Sequence, residues 1–449
     1  MRNAVITVLL IGALFMWGCE NEQNNSKPNI IVFFVDDMGY NDAGFRNTTF
    51  YTPNIDKLQK EGLTFENAYV PSSTCSPSRV GLLTGQHPAR LGFYRHCFGT
   101  GEYNVQEGDT SLLLSRNWLP LDVVTYGEVL KKTGYNTFFA GKWHIGGEEY
   151  GPGKHGFDIV VSNPHAGHVA NFYPPYFHDG KKIVKNIPKD KYLTDLLTDT
   201  VVNYISNYQS KEPFLLQFSY YNVHSPNIGK KKYVKMYEKN GLKGQFAQYC
   251  GQVSAMDESV GRVLDALKKS GKDKNTIVIF TSDQGSAFPN TPLRGGKKRG
   301  TALYEGGIKV PFIIKWPGVT KPGTSDLTHI QTTDLFPTFV QIAGEAPENY
   351  NGIEGVSLVA HLKNNTPVKE RYLIGFRTYD AQYASVLAPD DWKLIAYLDG
   401  KHQLYKVDED ISEQNNLADK YPDKVQELLK VLQNWEKKSG VDIKIKTEP

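Results

Sequence analysis

Four runs of continuous apolar, β-branched residues punctuate the chain: Asn29 to Val35, Pro213 to Ser219, Asn275 to Ser282 and Val310 to Trp316. Runs without polar alternation predict strands covered on both faces. Between them, apolar residues recur at a spacing near 3.6 over Asn54 to Glu61, Thr125 to Thr133, Leu193 to Asn207, Gly244 to Ser270 and Thr333 to Ala343. That spacing predicts amphipathic helices. Buried strands alternating with such helices predict an α/β fold, a large mainly parallel sheet sandwiched by helices. Ligands in these sheets sit beyond the carboxyl ends of the strands. The first run ends in Asp36-Asp37 and the third in Asp283-Gln284, so these positions become site candidates from pattern alone.

The pattern changes twice. Ala346 to Asn365 is a Pro-, Asn- and Gly-containing loop, and shorter segments follow: Arg371 to Phe376, Tyr383 to Leu387, Trp392 to Tyr397 and Gln403 to Val407. These predict a smaller C-terminal antiparallel sheet, with Asp399-Gly400 as a hairpin turn. Tyr421 to Lys438 predicts a closing amphipathic helix. Lys230-Lys231-Lys232 reads as a solvated loop. At the other end, Met1-Arg2-Asn3 precedes an apolar stretch from Ala4 to Trp17. A bilayer span takes about 20 residues, so this stretch suits the apolar region of a secretory signal. The expected organisation is therefore a signal peptide at 1–18, a polar tether at 19–27, a principal domain at 28–345 and a C-terminal subdomain at 346–449.

Composition narrows the partners. Lys plus Arg is 51 and Asp plus Glu is 48, a net charge of +3, which argues against a strongly basic nucleic-acid binder. Four cysteines, at 19, 75, 97 and 250, are too few for a disulfide framework. Cys97 and Cys250 could pair or stay as buried thiols. Met16-Trp17-Gly18-Cys19 resembles a bacterial lipoprotein signal, which implies an exported protein, periplasmic or at the cell surface, held by a lipid anchor at Cys19; free secretion is the alternative.

Candidate chemistry gathers around Cys75. Ser73-Thr74-Cys75-Ser76-Pro77-Ser78-Arg79 opens an expected helix beginning near Pro77, and a helix N-terminus favours anions. Arg79 would face the same spot one turn in. Gly134 to His144 on its own reads as a strand edge and polar turn with Lys142 and His144 in solvent. The pairs Asp36-Asp37 and Asp283-Gln284 offer hard oxygens that suit Ca²⁺ or Mg²⁺, and zinc-type spacing is absent.

The Cys-x-Pro-Ser-Arg run, followed by Thr84-Gly85, resembles the signature of the type I, formylglycine-dependent sulfatases of the alkaline phosphatase superfamily. Gly134 to His144 resembles that family's second motif. Asn222-Val223-His224-Ser225-Pro226, Gly296-Lys297 and Tyr304-Glu305-Gly306-Gly307 match further stretches, as do Trp392 to Ile395 and Leu404-Tyr405. The resemblance implies an alkaline-phosphatase-like fold, sulfate-ester hydrolysis, and conversion of Cys75 to formylglycine by a maturation enzyme. It implies catalytic roles for Cys75, Arg79, Lys142, His144, His224 and Lys297, with Lys298 the alternative to Lys297. It also implies Ca²⁺, with Mg²⁺ as alternative, held by Asp36, Asp37, Asp283 and Gln284 beside Cys75; the family commonly carries Asn at the last position. An exported setting points to a sulfated glycan substrate, for which Arg95, His96, His165, His168 and Arg294 are candidate contacts. Two other readings remain: a formylglycine phosphonate monoester or phosphodiester hydrolase, and a non-catalytic glycan-binding lipoprotein.

Overall fold

The computed structural model describes residues 27–99, 101–104, 113–298, 300–378 and 381–441. The signal sequence, Cys19 and the tether up to residue 26 lie outside the described residues. Eight strands form one sheet in the order Thr324–Asp326, Leu63–Phe65, Phe312–Lys315, Thr276–Ser282, Asn29–Val35, Phe214–Ser219, Asn136–Gly141 and Ile159–Val161. Only Phe312–Lys315 runs antiparallel to its neighbours; the other pairings are parallel.

The central strand shows why an uninterrupted apolar run was needed. Ile30, Val32 and Phe34 point into one core, and Ile31, Phe33 and Val35 into the other, all of them fully buried. Successive strand side chains alternate faces, so a strand with helices on both sides is apolar on both, and a polar exception needs a buried partner: Gln217 in Phe214–Ser219 accepts from the Tyr126 hydroxyl at 2.6 Å. The first face is covered by helices Cys75–Thr84, Tyr126–Lys132 and Leu335–Ile342, the second by Leu193–Ser206 and Gly244–Lys269. Tyr126–Lys132 starts in a capping box, in which Thr125 and Glu128 satisfy each other's backbone donors.

The C-terminal subdomain is a four-stranded antiparallel sheet, Leu373–Phe376, Gln382–Leu387, Trp392–Tyr397 and Gln403–Lys406 in sequential order. Helix Pro422–Ser439 covers it through Val425, Leu428, Leu429 and Leu432 in a third core.

Several expectations are corrected. Lys230 to Lys232 is no solvated loop: helix Lys231–Lys239 starts there, and the Lys230 Nζ lies 2.8 Å from Asp195 and 2.7 Å from Glu258. Its charge neutralises two acidic residues on neighbouring helices. The Ala346 to Asn365 loop contains a short helix, Val359–Asn364, whose Val359 and Leu362 are buried. Asn136–Gly141 is no sheet edge, since it pairs on both sides. The helix expected near Pro77 begins at Cys75 itself. Cys75, Cys97 and Cys250 are free thiols. Among the described residues no helix is long and apolar enough to cross a membrane.

Candidate active site

Four adjacent parallel strands deliver the site. Val35 aligns with Ser282, Phe34 with Ser219, and Gly141 with Ser219. The residues that follow these strand ends therefore emerge side by side: Asp36-Asp37, Asp283-Gln284, Lys142 and the turn leading to His224. Gly141 is required where it stands. Its φ is +99°, and a Cβ there would sit 1.8 Å from the Ser219 carbonyl oxygen, so only glycine lets the chain turn Lys142 inward. Asp37 and His144 also hold positive φ, 66° and 61°. Non-glycine residues adopt this region at a cost, which the surrounding contacts must offset.

Cys75 opens helix Cys75–Thr84, whose ten residues are all buried. Its N-terminus faces the strand ends and adds a partial positive charge there. Arg79, one turn in, donates from Nη2 to Asp283 at 2.8 Å and from Nη1 to the Lys142 carbonyl at 2.8 Å. Lys142 is fully buried, and its Nζ donates to Asp36 at 2.6 Å. Lys297 Nζ donates to Asp37 at 2.6 Å, whereas Lys298 is exposed, so the geometry favours Lys297 over Lys298. His224 Nε2 lies 3.8 Å from the same Asp37 oxygen. Gln284 Nε2 reaches Asp37 Oδ1 at 2.6 Å and Cys75 Sγ at 2.9 Å. The structure thus brings every candidate catalytic and metal residue into one cluster around Cys75, apart from His144, which borders it through Ser76: the Ser76 hydroxyl donates to the His144 carbonyl at 2.7 Å.

Burial and charge set the protonation states. Burial pushes Asp36 up to about 8, with Lys142 opposing. Burial also works to raise Asp37, but Lys297, ahead of His224 and Lys142, holds it below the usual carboxylate range. Burial would lower Lys297 and Arg79; Asp37 raises the first and Asp283 the second, so both stay charged. The Cys75 thiol is raised by burial and is no ready thiolate. His224 is pushed down to about 3 by burial and then by Lys297, and His144 falls well below its ordinary value through burial and Lys142.

The donor set fits a hard divalent cation. Ligand atoms of Asp36, Asp37, Cys75 and Asp283 lie within 4.8 Å of one another. Asp36 Oδ1 and Gln284 Oε1 are buried without a hydrogen-bond partner, which is costly unless something else satisfies them. Oxygen-rich sites of this kind suit Ca²⁺ or Mg²⁺.

Other candidates fall differently. Arg95 is fully buried and donates to the Asn104 carbonyl at 2.7 Å, so it is no surface sugar contact. Arg294 is tied to the C-terminal subdomain, to the Glu413 carbonyl at 2.6 Å and the Tyr405 hydroxyl at 3.1 Å. His96 stacks beside His144 at 5.9 Å between ring centroids, and His168 beside His224 at 6.0 Å. One residue was not foreseen: Arg377 of the C-terminal subdomain donates to the Ser73 carbonyl at 2.8 Å, across 304 residues, and steadies the segment before Cys75. No local sequence signal marks it.

A mainly parallel sheet with carboxylates, buried cations and a helix-opening cysteine at its strand ends defines the alkaline-phosphatase-like α/β class. Within that class, residues 28–345 match the sulfatase family profile, and residues 297–438 match the profile described as N-sulphoglucosamine sulphohydrolase, C-terminal. The chain belongs to the sulfatase family, whose members generally use a metal and formylglycine. It is 32% identical to mouse N-acetylgalactosamine-6-sulfatase over 74% of this chain, spanning 65% of the mouse protein's length. N-acetylgalactosamine-6-O-sulfatase of Bacteroides thetaiotaomicron is 27% identical over 95% of this chain and 98% of its own. The crystal structure of Ps i-CgsB in complex with k-i-k-neocarrahexaose superposes with a TM-score of 0.79 at 30% identity, covering 91% of this chain and 93% of that one.

Proposed function

We propose that this protein hydrolyses sulfate esters on a sulfated glycan, using formylglycine formed from Cys75 by a maturation enzyme and Ca²⁺ held by Asp36, Asp37, Asp283 and Gln284. The observation that carries this reading is the placement of Cys75 at a helix N-terminus among three carboxylates and three cations. A sulfate ester resists attack because its oxygens carry negative charge, so catalysis must neutralise that charge and protonate the departing alcohol. When bound, the cation and the hydrated aldehyde at position 75 supply an activated oxygen nucleophile.

The chain's own residues do the rest. Arg79, Lys142 and Lys297 pair with Asp283, Asp36 and Asp37 here; a cation on the carboxylates leaves their positive charge to face the ester. His144 Nε2 sits 3.2 Å from the Cys97 carbonyl, while buried Nδ1 has no partner. That places the proton on Nε2 and leaves Nδ1 as a neutral base, able to take a proton from the group at position 75. His224 holds Nδ1 against the Ser225 carbonyl at 2.6 Å, which leaves Nε2 for proton transfer to the leaving oxygen once the anionic ester favours the imidazolium. Lys297, kept charged by Asp37, is the adjacent donor.

The boundaries 28–345 and 346–449, an exported location and lipid attachment at Cys19 complete this reading. The names of the relatives favour an N-acetylgalactosamine 6-sulfate. The test is inorganic sulfate release from 6-sulfated N-acetylgalactosamine and sulfated galactose, run beside matched phosphonate and phosphodiester substrates. Release from sulfate esters alone is expected. Turnover of the phosphorus esters alone would move the assignment to that branch of the superfamily.

A further inference from the structure

Beside the sulfate-binding cluster lies a cavity of about 440 Å³ of quite different character. It starts at His144 and Cys97, and both are hydrogen-bonded to the hydroxyl of Ser76, the residue after Cys75. The cavity therefore lies beside the segment that carries Cys75, on the His144 side of the cluster. One wall is aromatic: Trp118 and Tyr150 stack at 4.8 Å between centroids with planes 13° apart. Trp143 Nε1 donates to the Tyr150 carbonyl at 2.9 Å. Gly146, at φ +130°, sits so close that a Cβ would lie 2.7 Å from Tyr150 Cβ and 3.0 Å from Trp118 Cβ. The wall is thus fixed before any ligand arrives.

The charge of the lining is the second observation. Among the described residues, no lysine or arginine lines this cavity, but Glu148, Glu149 and His165 do. Glu148 is paired with Lys181, which leaves Glu149 without an ion-pair partner among the described residues. The neighbouring cluster, with Arg79, Lys142 and Lys297, is built to receive an anion; this cavity is not. Aromatic walls with a few polar groups suit the apolar C–H faces and hydroxyls of a sugar ring, and a carboxylate repels a like charge brought close.

We infer that the Trp118–Tyr150–Glu149 cavity is the subsite for the ring next to the sulfated sugar, and that it takes an uncharged hexose or N-acetylhexosamine and rejects a uronate or a second sulfated ring. This rests on the sulfated-glycan reading and adds the chemistry of the neighbouring residue.

The test is calorimetric titration of the full chain, with Cys75 unconverted and Ca²⁺ present, against paired disaccharides. Each pair joins 6-sulfated N-acetylgalactosamine or sulfated galactose to either a hexose or a hexuronate. The hexose-linked member is expected to bind about tenfold more tightly, as one like-charge contact at a partly exposed site implies. Glu149→Gln should bring that ratio towards unity, and Trp118→Ala should weaken the hexose-linked member by about tenfold. Equal affinities in the unaltered protein, a preference untouched by Glu149→Gln, or failure of every pair to bind would overturn the subsite. Sulfate release by the matured protein is read separately. Release without preference defeats the subsite and leaves the hydrolase; preference without release defeats the hydrolase and leaves the subsite.

Discussion

Two clusters of buried charge in this molecule look alike in composition and differ in completion. At the junction of the large sheet's segment around Glu305 with the C-terminal antiparallel sheet, Lys393 lies fully buried between Glu305 at 2.8 Å and Glu413 at 2.9 Å. The remaining carboxylate oxygens accept from the Tyr69 hydroxyl at 2.9 Å and from the Glu305 backbone N–H at 2.7 Å. Every carboxylate oxygen there lies within 2.9 Å of a protein ammonium, hydroxyl or backbone N–H. Around Cys75, three carboxylates also meet three cations, yet Asp36 Oδ1, 3.6 Å from Arg79 Nη2, and Gln284 Oε1 accept no hydrogen bond. A closed cluster serves the fold, because breaking a buried pair is strongly destabilising. An open one keeps polar atoms waiting for something from outside, and at the carboxyl ends of parallel strands that is where chemistry occurs.

The comparison can be broken most forcefully at Cys75. Cys75→Ala should reduce sulfate release by at least about four orders of magnitude, as loss of a nucleophile does, while thermal unfolding stays within about 1 kcal/mol of the unaltered protein. Full activity in that variant would sink the assignment. At the junction the opposite division is expected. Lys393→Met strands Glu305 and Glu413 and should cost about 3 to 5 kcal/mol in denaturant unfolding, with sulfate release retained by whatever fraction remains folded. An unchanged unfolding midpoint would show that the junction cluster does not hold the fold together.

Gln284→Leu keeps the bulk of the side chain and removes the amide, so Ca²⁺ affinity measured by calorimetry should fall by at least about tenfold. Unaltered affinity would remove Gln284 from the metal site. An effect confined to acid belongs to His87, buried beside Trp435 at 4.6 Å between ring centroids and pushed down to about 3 by burial. The folded state excludes a proton that the unfolded chain accepts below its ordinary value of 6.5. Its contribution is therefore full above pH 6.5 and is lost as pH falls towards 3, by up to about 1.4 kcal/mol per unit. His87→Asn should flatten that part of the stability curve, and a curve of unaltered slope would count against a neutral buried imidazole.

The same contrast explains what the sequence could reveal. The long strands were legible because burial on both faces forces an unbroken apolar run, as in Asn29–Val35. Asp36, Asp283 and Lys142 followed from strand ends and from the resemblance carried by Cys75 to Arg79 and Gly134 to His144. Three strands, Leu63–Phe65, Ile159–Val161 and Thr324–Asp326, are too short to show a period, and Ile159 and Val160 are exposed. The junction cluster left no trace, since Glu305 and Lys393 are 88 residues apart and Glu305 and Glu413 are 108 apart. Arg377 is hidden for the same reason. Local pattern records what a segment buries, whereas these contacts depend on which distant segments meet.

The most direct measurement is the mass of the peptide spanning Cys75 after expression in cells that demonstrably mature another sulfatase. A formylglycine mass at position 75 is predicted, since the cysteine sits in the family's motif at the centre of the buried carboxylates and cations. Unmodified cysteine beside a fully converted control would contradict the enzymatic reading and favour a glycan-binding protein that keeps the fold without the chemistry.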